Sequence, residues 1–174
     1  MLINPDLRYL DTCVMQMFAD HRDPLRKYYN IRSNEIESSL IRNHGTLCIS
    51  MPSLGESFCK IKDKCKGYEL EIMEEINRLL DKTICVRYIR DAQETFGLAK
   101  RLSEDVDDDR NRVSPMDALI IATATVDPDC TTLYTTDSLL LSDARISEII
   151  NDWRENRGYR PMIIGEVYEI IKKR

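Results

Sequence analysis

Four acids stand where a chain of alternating strands and helices gathers its chemistry: Asp11, Glu56, Asp117 and Asp137. Asp11 closes the apolar run Leu7-Arg8-Tyr9-Leu10 and precedes a helix-like stretch from Thr12. Asp137 follows Leu133-Tyr134-Thr135-Thr136 in the same manner. Glu56 and Asp117 read as first-turn helical residues. Ser53-Leu54-Gly55-Glu56 has the capping-box spacing, and Ser114-Pro115-Met116-Asp117 reads as N-cap, proline at the first helical position and acid in the first turn. In an open parallel α/β sheet, ligands bind beyond the carboxyl ends of the strands, so all four acids can face one cleft.

Each acid alone has an ordinary structural reading. Asp11 suits the N-cap of the helix from Thr12, Glu56 the closing of a capping box, Asp117 the complement of a helix dipole, and Asp137 a turn before Ser138. The conjunction is harder to explain that way. Carboxylates converging on one edge repel and raise each other's pKa unless a cation neutralises them. A hard divalent ion with oxygen ligands, Mg²⁺ or Mn²⁺, fits a few carboxylates and retained waters. Such an ion acidifies a water, orients it and stabilises charge on a phosphoryl oxygen, so phosphodiester hydrolysis is the chemistry this set serves best.

The elements that must position these acids follow from pattern. Short runs rich in β-branched, aromatic or other apolar residues predict strands over 7–10, 46–49, 84–88, 131–135 and 162–164. Helical spacing predicts helices over 12–19, 33–43, 53–62, 69–80, 92–103, 115–126 and 142–156. Ser33 is the expected cap of the second of these, whose Ile36, Leu40 and Ile41 share a face and which Gly45 ends. Strand and helix alternate, which predicts right-handed βαβ units and a buried parallel sheet.

Composition sets the outer bounds. The 174 residues, 43% hydrophobic and 32% charged, suit one globular domain over 1–174 with no repeat, linker or break. Asp6, Arg8 and Asp11 interrupt the first apolar residues, so no signal-peptide core is expected. The longest largely apolar run, 118–126, is far short of the ~20 residues that span a bilayer, so a cytoplasmic location without a membrane partner is expected. Net charge is −5, from 25 basic and 30 acidic side chains. That argues against strong nonspecific binding to nucleic acid, but local patches and a metal ion can offset the global sign. Cys13, Cys48, Cys85 and Cys130 fall in or beside apolar segments, while Cys59 and Cys65 lack zinc or redox spacing, so free thiols are expected.

With these residues in view, the sequence resembles the PIN-domain nucleases, a family that includes the VapC-type toxins of toxin–antitoxin pairs. The resemblance rests on YLDT around Asp11, SLGESF around Glu56, SPMDALIIATA around Asp117 and LYTTD around Asp137, in that order. The D-A-L-I-I-A-T-A segment is its most specific piece. The resemblance implies a three-layer α/β/α PIN-like fold with a central five-stranded parallel sheet. It implies that Asp11, Asp117 and Asp137 bind metal, that Glu56 binds it or bridges through water, and that Thr12 and Thr135 support the acids through their hydroxyls. It also implies RNA as substrate, frequent homodimers and an antitoxin protein as partner. Cys13 departs from the family, which commonly has Asn there. Extra length falls in 21–32, 105–112 and 153–161.

The expectation is therefore a Mg²⁺- or Mn²⁺-dependent endoribonuclease acting on single-stranded or structured RNA, with a metal-activated water and no protein nucleophile. The alternative is a non-catalytic PIN-like module that binds RNA or protein. An Asp-nucleophile phosphotransferase is disfavoured because Cys13 occupies the position of its second Asp, and a nucleotide-binding protein because neither GxGxxG nor GxxxxGK[ST] occurs. Arg26, Lys27, Tyr28 and Tyr29 interleave basic and aromatic groups as single-stranded RNA requires, or form a solvated loop with tyrosines on the core. Lys60, Lys62, Lys64 and Lys66 make a second basic patch, and Asp105 with Asp107–Asp109 reads as a solvated acidic turn.

Overall fold

The computed structural model describes residues 6–106 and 112–172, so Asp107–Asp109 lie outside the described residues. Within them five strands run parallel in one sheet: β1 (Leu7–Leu10), β2 (Leu47–Ser50), β3 (Cys85–Arg87), β4 (Cys130–Thr135) and β5 (Ile163–Glu166). Their spatial order is β3-β2-β1-β4-β5. The chain winds outward from β1 through β2 and β3, then returns to the other flank of β1 to lay down β4. That reversal puts a crevice at the carboxyl ends of β1 and β4, where doubly wound sheets bind ligands. Tyr9 pairs with Leu133 and Leu10 with Tyr134, so the two strand ends are level.

The helices are α1 (Thr12–Ala19), α2 (Pro24–Tyr28), α3 (Ser33–Arg42), α4 (Met51–Lys64), α5 (Glu69–Lys82), α6 (Ala92–Asp105), α7 (Pro115–Val126), α8 (Ser138–Ser142), α9 (Ala144–Glu155) and α10 (Val167–Lys172). Strand alternation divides the core. Tyr9, Cys48 and Leu133 point toward α6, α7 and α9, whereas Leu10, Leu47, Ile49 and Tyr134 point toward α1, α3, α4, α5 and α10. β2 is buried at all four positions, as a central parallel strand covered on both faces must be. The result is the expected three-layer α/β/α arrangement.

Several boundaries differ from the sequence expectation for identifiable reasons. Helix α4 starts at Met51, because Ser50 is its cap and Pro52 occupies the first turn. Ser50 Oγ accepts from Ser53 N at 3.1 Å. Glu56 therefore lies in the second turn of α4 and closes no capping box with Ser53. Ser33 is the first residue of α3 rather than its cap; Arg32 precedes it, and its N–H donates to Glu35 at 2.8 Å. The helix expected over 142–156 is α9, which starts at Ala144 because Asp143 caps it; the same Asp143 ends the short, unexpected α8 that precedes it. The short helices α2 and α10 fall where no strong periodicity exists.

Arg154 is the one fully buried guanidinium among the described residues. It donates to the carbonyls of Thr125 (2.8 Å), Asp127 (3.0 Å), Pro128 (3.4 Å), Cys130 (2.8 Å) and Arg160 (2.5 Å). These carbonyls lie at the end of α7, the start of β4 and the turn after α9. Beside it, Asp127 accepts from Tyr9 Oη at 2.7 Å and Arg87 Nη2 at 2.9 Å. The far ends of α7 and β4 are thus fixed by polar contacts inside the core.

Candidate active site

Asp11 leaves β1 in an extended conformation and caps α1, so its carboxylate is fixed by the backbone on both sides. It accepts from Thr12 N (2.6 Å), Thr135 Oγ1 (2.8 Å) and Cys13 Sγ (3.2 Å). Only 5% of the residue is exposed. Burial raises its pKa, and the donors from Thr135, Cys13 and Thr12 oppose that rise only in part. Cys13 fills its place in the motif as a hydrogen-bond donor. Burial and the charge of Asp11 push its thiol up to about 12, so it stays protonated, and it also accepts from Thr136 N at 3.3 Å.

Thr135, the last residue of β4, is fully buried and works in two directions. Its hydroxyl donates to Asp11 and accepts from Asp137 N at 3.0 Å, tying the two strand ends together. Asp137 in turn caps α8 by accepting from Leu139 N at 2.8 Å. Thr135→Val keeps the shape and removes both bonds, leaving a buried carboxylate short of a donor. The expected loss is about 1–3 kcal/mol, with Thr135→Ser close to wild type. Urea unfolding checks it; equal midpoints for the Val variant and wild type overturn it.

Glu56 reaches the cluster from α4. Its Oε2 accepts from Thr12 Oγ1 at 2.5 Å, and its Oε1 lies 2.9 Å from Lys60 Nζ. Asp117 arrives from the first turn of α7. Ser114 Oγ accepts from Asp117 N at 3.1 Å and donates to Asp117 Oδ2 at 2.6 Å. Burial, the largest influence, raises the Asp117 pKa; the Ser114 hydroxyl opposes it, and the charges of Asp11, Glu56 and Asp137 push it up further. Four acids from β1, α4, α7 and the β4–α8 turn therefore share one electrostatic field. As they lie, no three metal-binding side chains among the described residues close in on a single point.

The basic and aromatic stretch goes elsewhere. Arg26 donates to the carbonyls of Met17 (2.7 Å) and Phe18 (2.7 Å) and to Ser33 Oγ (3.1 Å), closing the last turn of α1. It lines a cavity of about 580 Å³ between α1, α3 and α5 that none of the four acids lines. Tyr29 packs against the core, where burial first and then the charge of Glu166 raise its pKa, while Lys27 and Tyr28 are exposed. No hydrogen bond or ion pair joins these four residues to the carboxylates among the contacts described. Lys60, one of four lysines of a basic patch in sequence, touches the site through Glu56. Its signal was the i,i+4 spacing from Glu56.

No family model and no curated protein matches the chain. Solved structures do. It is similar to a chain in the crystal structure of DNA-bound VapBC from Salmonella typhimurium, at 14% identity, with a TM-score of 0.55 over 92% of this chain and 98% of that one. It is also similar to a chain of VapBC2 from Rickettsia felis bound to a DNA fragment from their promoter, at 16% identity and a TM-score of 0.53 with the same coverage. At this identity the likeness shows the fold alone, and that fold is PIN-like.

Proposed function

We propose that this chain is a Mg²⁺- or Mn²⁺-dependent endoribonuclease whose acids are Asp11, Glu56, Asp117 and Asp137. The observation that carries the reading is the gathering of four acids at one sheet edge, where Asp117 is a half-buried carboxyl pushed up first by burial and then by the charges of Asp11, Glu56 and Asp137. Such a cluster is unfavourable to keep anionic unless a cation relieves it. The donors are all carboxylate oxygens, the chemistry that Mg²⁺ and Mn²⁺ prefer. Asp11, Asp117 and Asp137 would hold the ion, with Glu56 beside it or reaching it through water. When bound, the ion supplies Lewis acidity toward a phosphoryl oxygen and a more acidic water.

The chain's own residues do the positioning. Thr135 and Cys13 aim Asp11, Thr12 holds Glu56 toward it, and Ser114 orients Asp117. The carboxylates are acceptors, suited to receive a proton from an attacking water. The solved structures of similar fold are VapBC assemblies on DNA. They support reading this chain as the toxin of a toxin–antitoxin pair with an antitoxin protein as partner; a second copy of itself as partner rests on the sequence resemblance alone.

Incubation with a mixed single-stranded RNA pool tests the activity. Cleavage is expected with Mn²⁺ or Mg²⁺ and is expected to disappear in EDTA. RNA binding without cleavage, in protein that also binds Mn²⁺, supports the non-catalytic module instead. Protein that neither cleaves nor binds metal removes both the nuclease and its metal site.

A further inference from the structure

Lys60 sits one helical turn after Glu56 on the same face of α4. Its ammonium is 2.9 Å from Glu56 Oε1, and its side chain is one-third exposed. Its contact is with Glu56, and the charges of Asp11 and Asp117 reach it as well. Glu56 Oε2 is meanwhile taken by the Thr12 hydroxyl. Both oxygens of Glu56 are therefore occupied by groups of the chain itself.

We propose that Lys60 is a built-in cation that limits the site to a single divalent ion. This rests on the metal-dependent reading above. One divalent ion and one ammonium balance four carboxylates to within a single charge. A second divalent ion needs Glu56 Oε1 and has to displace Lys60 from it, against the repulsion of two cations at close range. Lys60 is in this sense a positioning residue: it holds Glu56 aside and sets how many ions the acids accept. Its long flexible stem also lets the ammonium swing toward a phosphate when one arrives.

Calorimetric titration of Mn²⁺ into wild type, Lys60→Gln and Lys60→Arg tests the proposal, with circular dichroism melts to check that each variant is folded. Wild type and Lys60→Arg are expected to bind one ion per chain, and Lys60→Gln two. A wild type that takes up two ions, or a folded Lys60→Gln that still takes up one, overturns the role given to Lys60 and leaves the metal site standing. A wild type that binds no Mn²⁺ removes the metal reading itself, and the inference with it.

Discussion

Asp117→Asn is expected to reduce RNA cleavage by about 10³-fold or more, since a metal-binding carboxylate supports several kcal/mol of charge stabilisation. The same change is expected to leave the chain at least as stable as wild type. Asparagine keeps the size of the side chain and can still accept from the Ser114 hydroxyl. It removes one charge from a crowded set. Because burial and the neighbouring acids raise the folded pKa of Asp117, the folded chain holds its proton more tightly than the unfolded one. The stability this group contributes is present below its unfolded pKa of about 3.9 and is lost as pH rises through the folded value. At neutral pH the ionised carboxylate therefore opposes folding. Thermal melts should place the variant at or above wild type at pH 7, with the two converging in acid. For a chain of this size each 1 kcal/mol is worth about 2–4 °C. Mn²⁺ should reverse the order by stabilising wild type more than the variant. A variant that melts well below wild type at pH 7 makes Asp117 a structural capping residue.

The sequence was legible wherever one local rule decided the outcome. β1, β2 and β4 are apolar runs followed by helix caps, and strands buried on both faces leave that signature. α1 and α7 begin and end where their caps and spacing put them, and the four acids were visible because each sits at a strand end or near a helix start. What escaped depends on contacts between elements distant in sequence. Cys13, which donates to Asp11, also accepts from Thr136 N and meets the Thr135 hydroxyl only because the end of β4 packs beside it. Glu56 approaches Thr12 across 44 residues, which moves its significance from the helix cap to the cluster. The start of α4 is ambiguous in sequence because Ser53 and Ser50 are both competent caps, and Pro52 favours the earlier one. Arg26 and Arg154 look like surface charges in sequence, yet both close helix ends, a role set by which carbonyls happen to lie within reach.

Arg154→Met is expected to be the most damaging change away from the acids, lowering stability by about 3–5 kcal/mol. Methionine replaces much of the aliphatic stem and donates nothing. Five carbonyls would lose a charged donor in a place where the side chain has no exposure to solvent. Two of those carbonyls belong to the last turn of α7 and its cap, where a cation also favours the helix dipole. Lysine is no substitute in kind: a single ammonium has three donors and no planar fork, so Arg154→Lys should recover only a minor part. The effect should reach the acids indirectly. Arg154 clamps the far ends of α7 and β4, whose near ends carry Asp117 and the turn with Asp137; along α7 the separation from Asp117 is roughly 12–15 Å. Urea unfolding should show a lower midpoint with an unchanged slope, and cleavage at low temperature should fall only by the fraction unfolded. If Arg154→Met stays within about 1 kcal/mol of wild type, those carbonyls are finding water, and the end of α7 is more open than its packing implies.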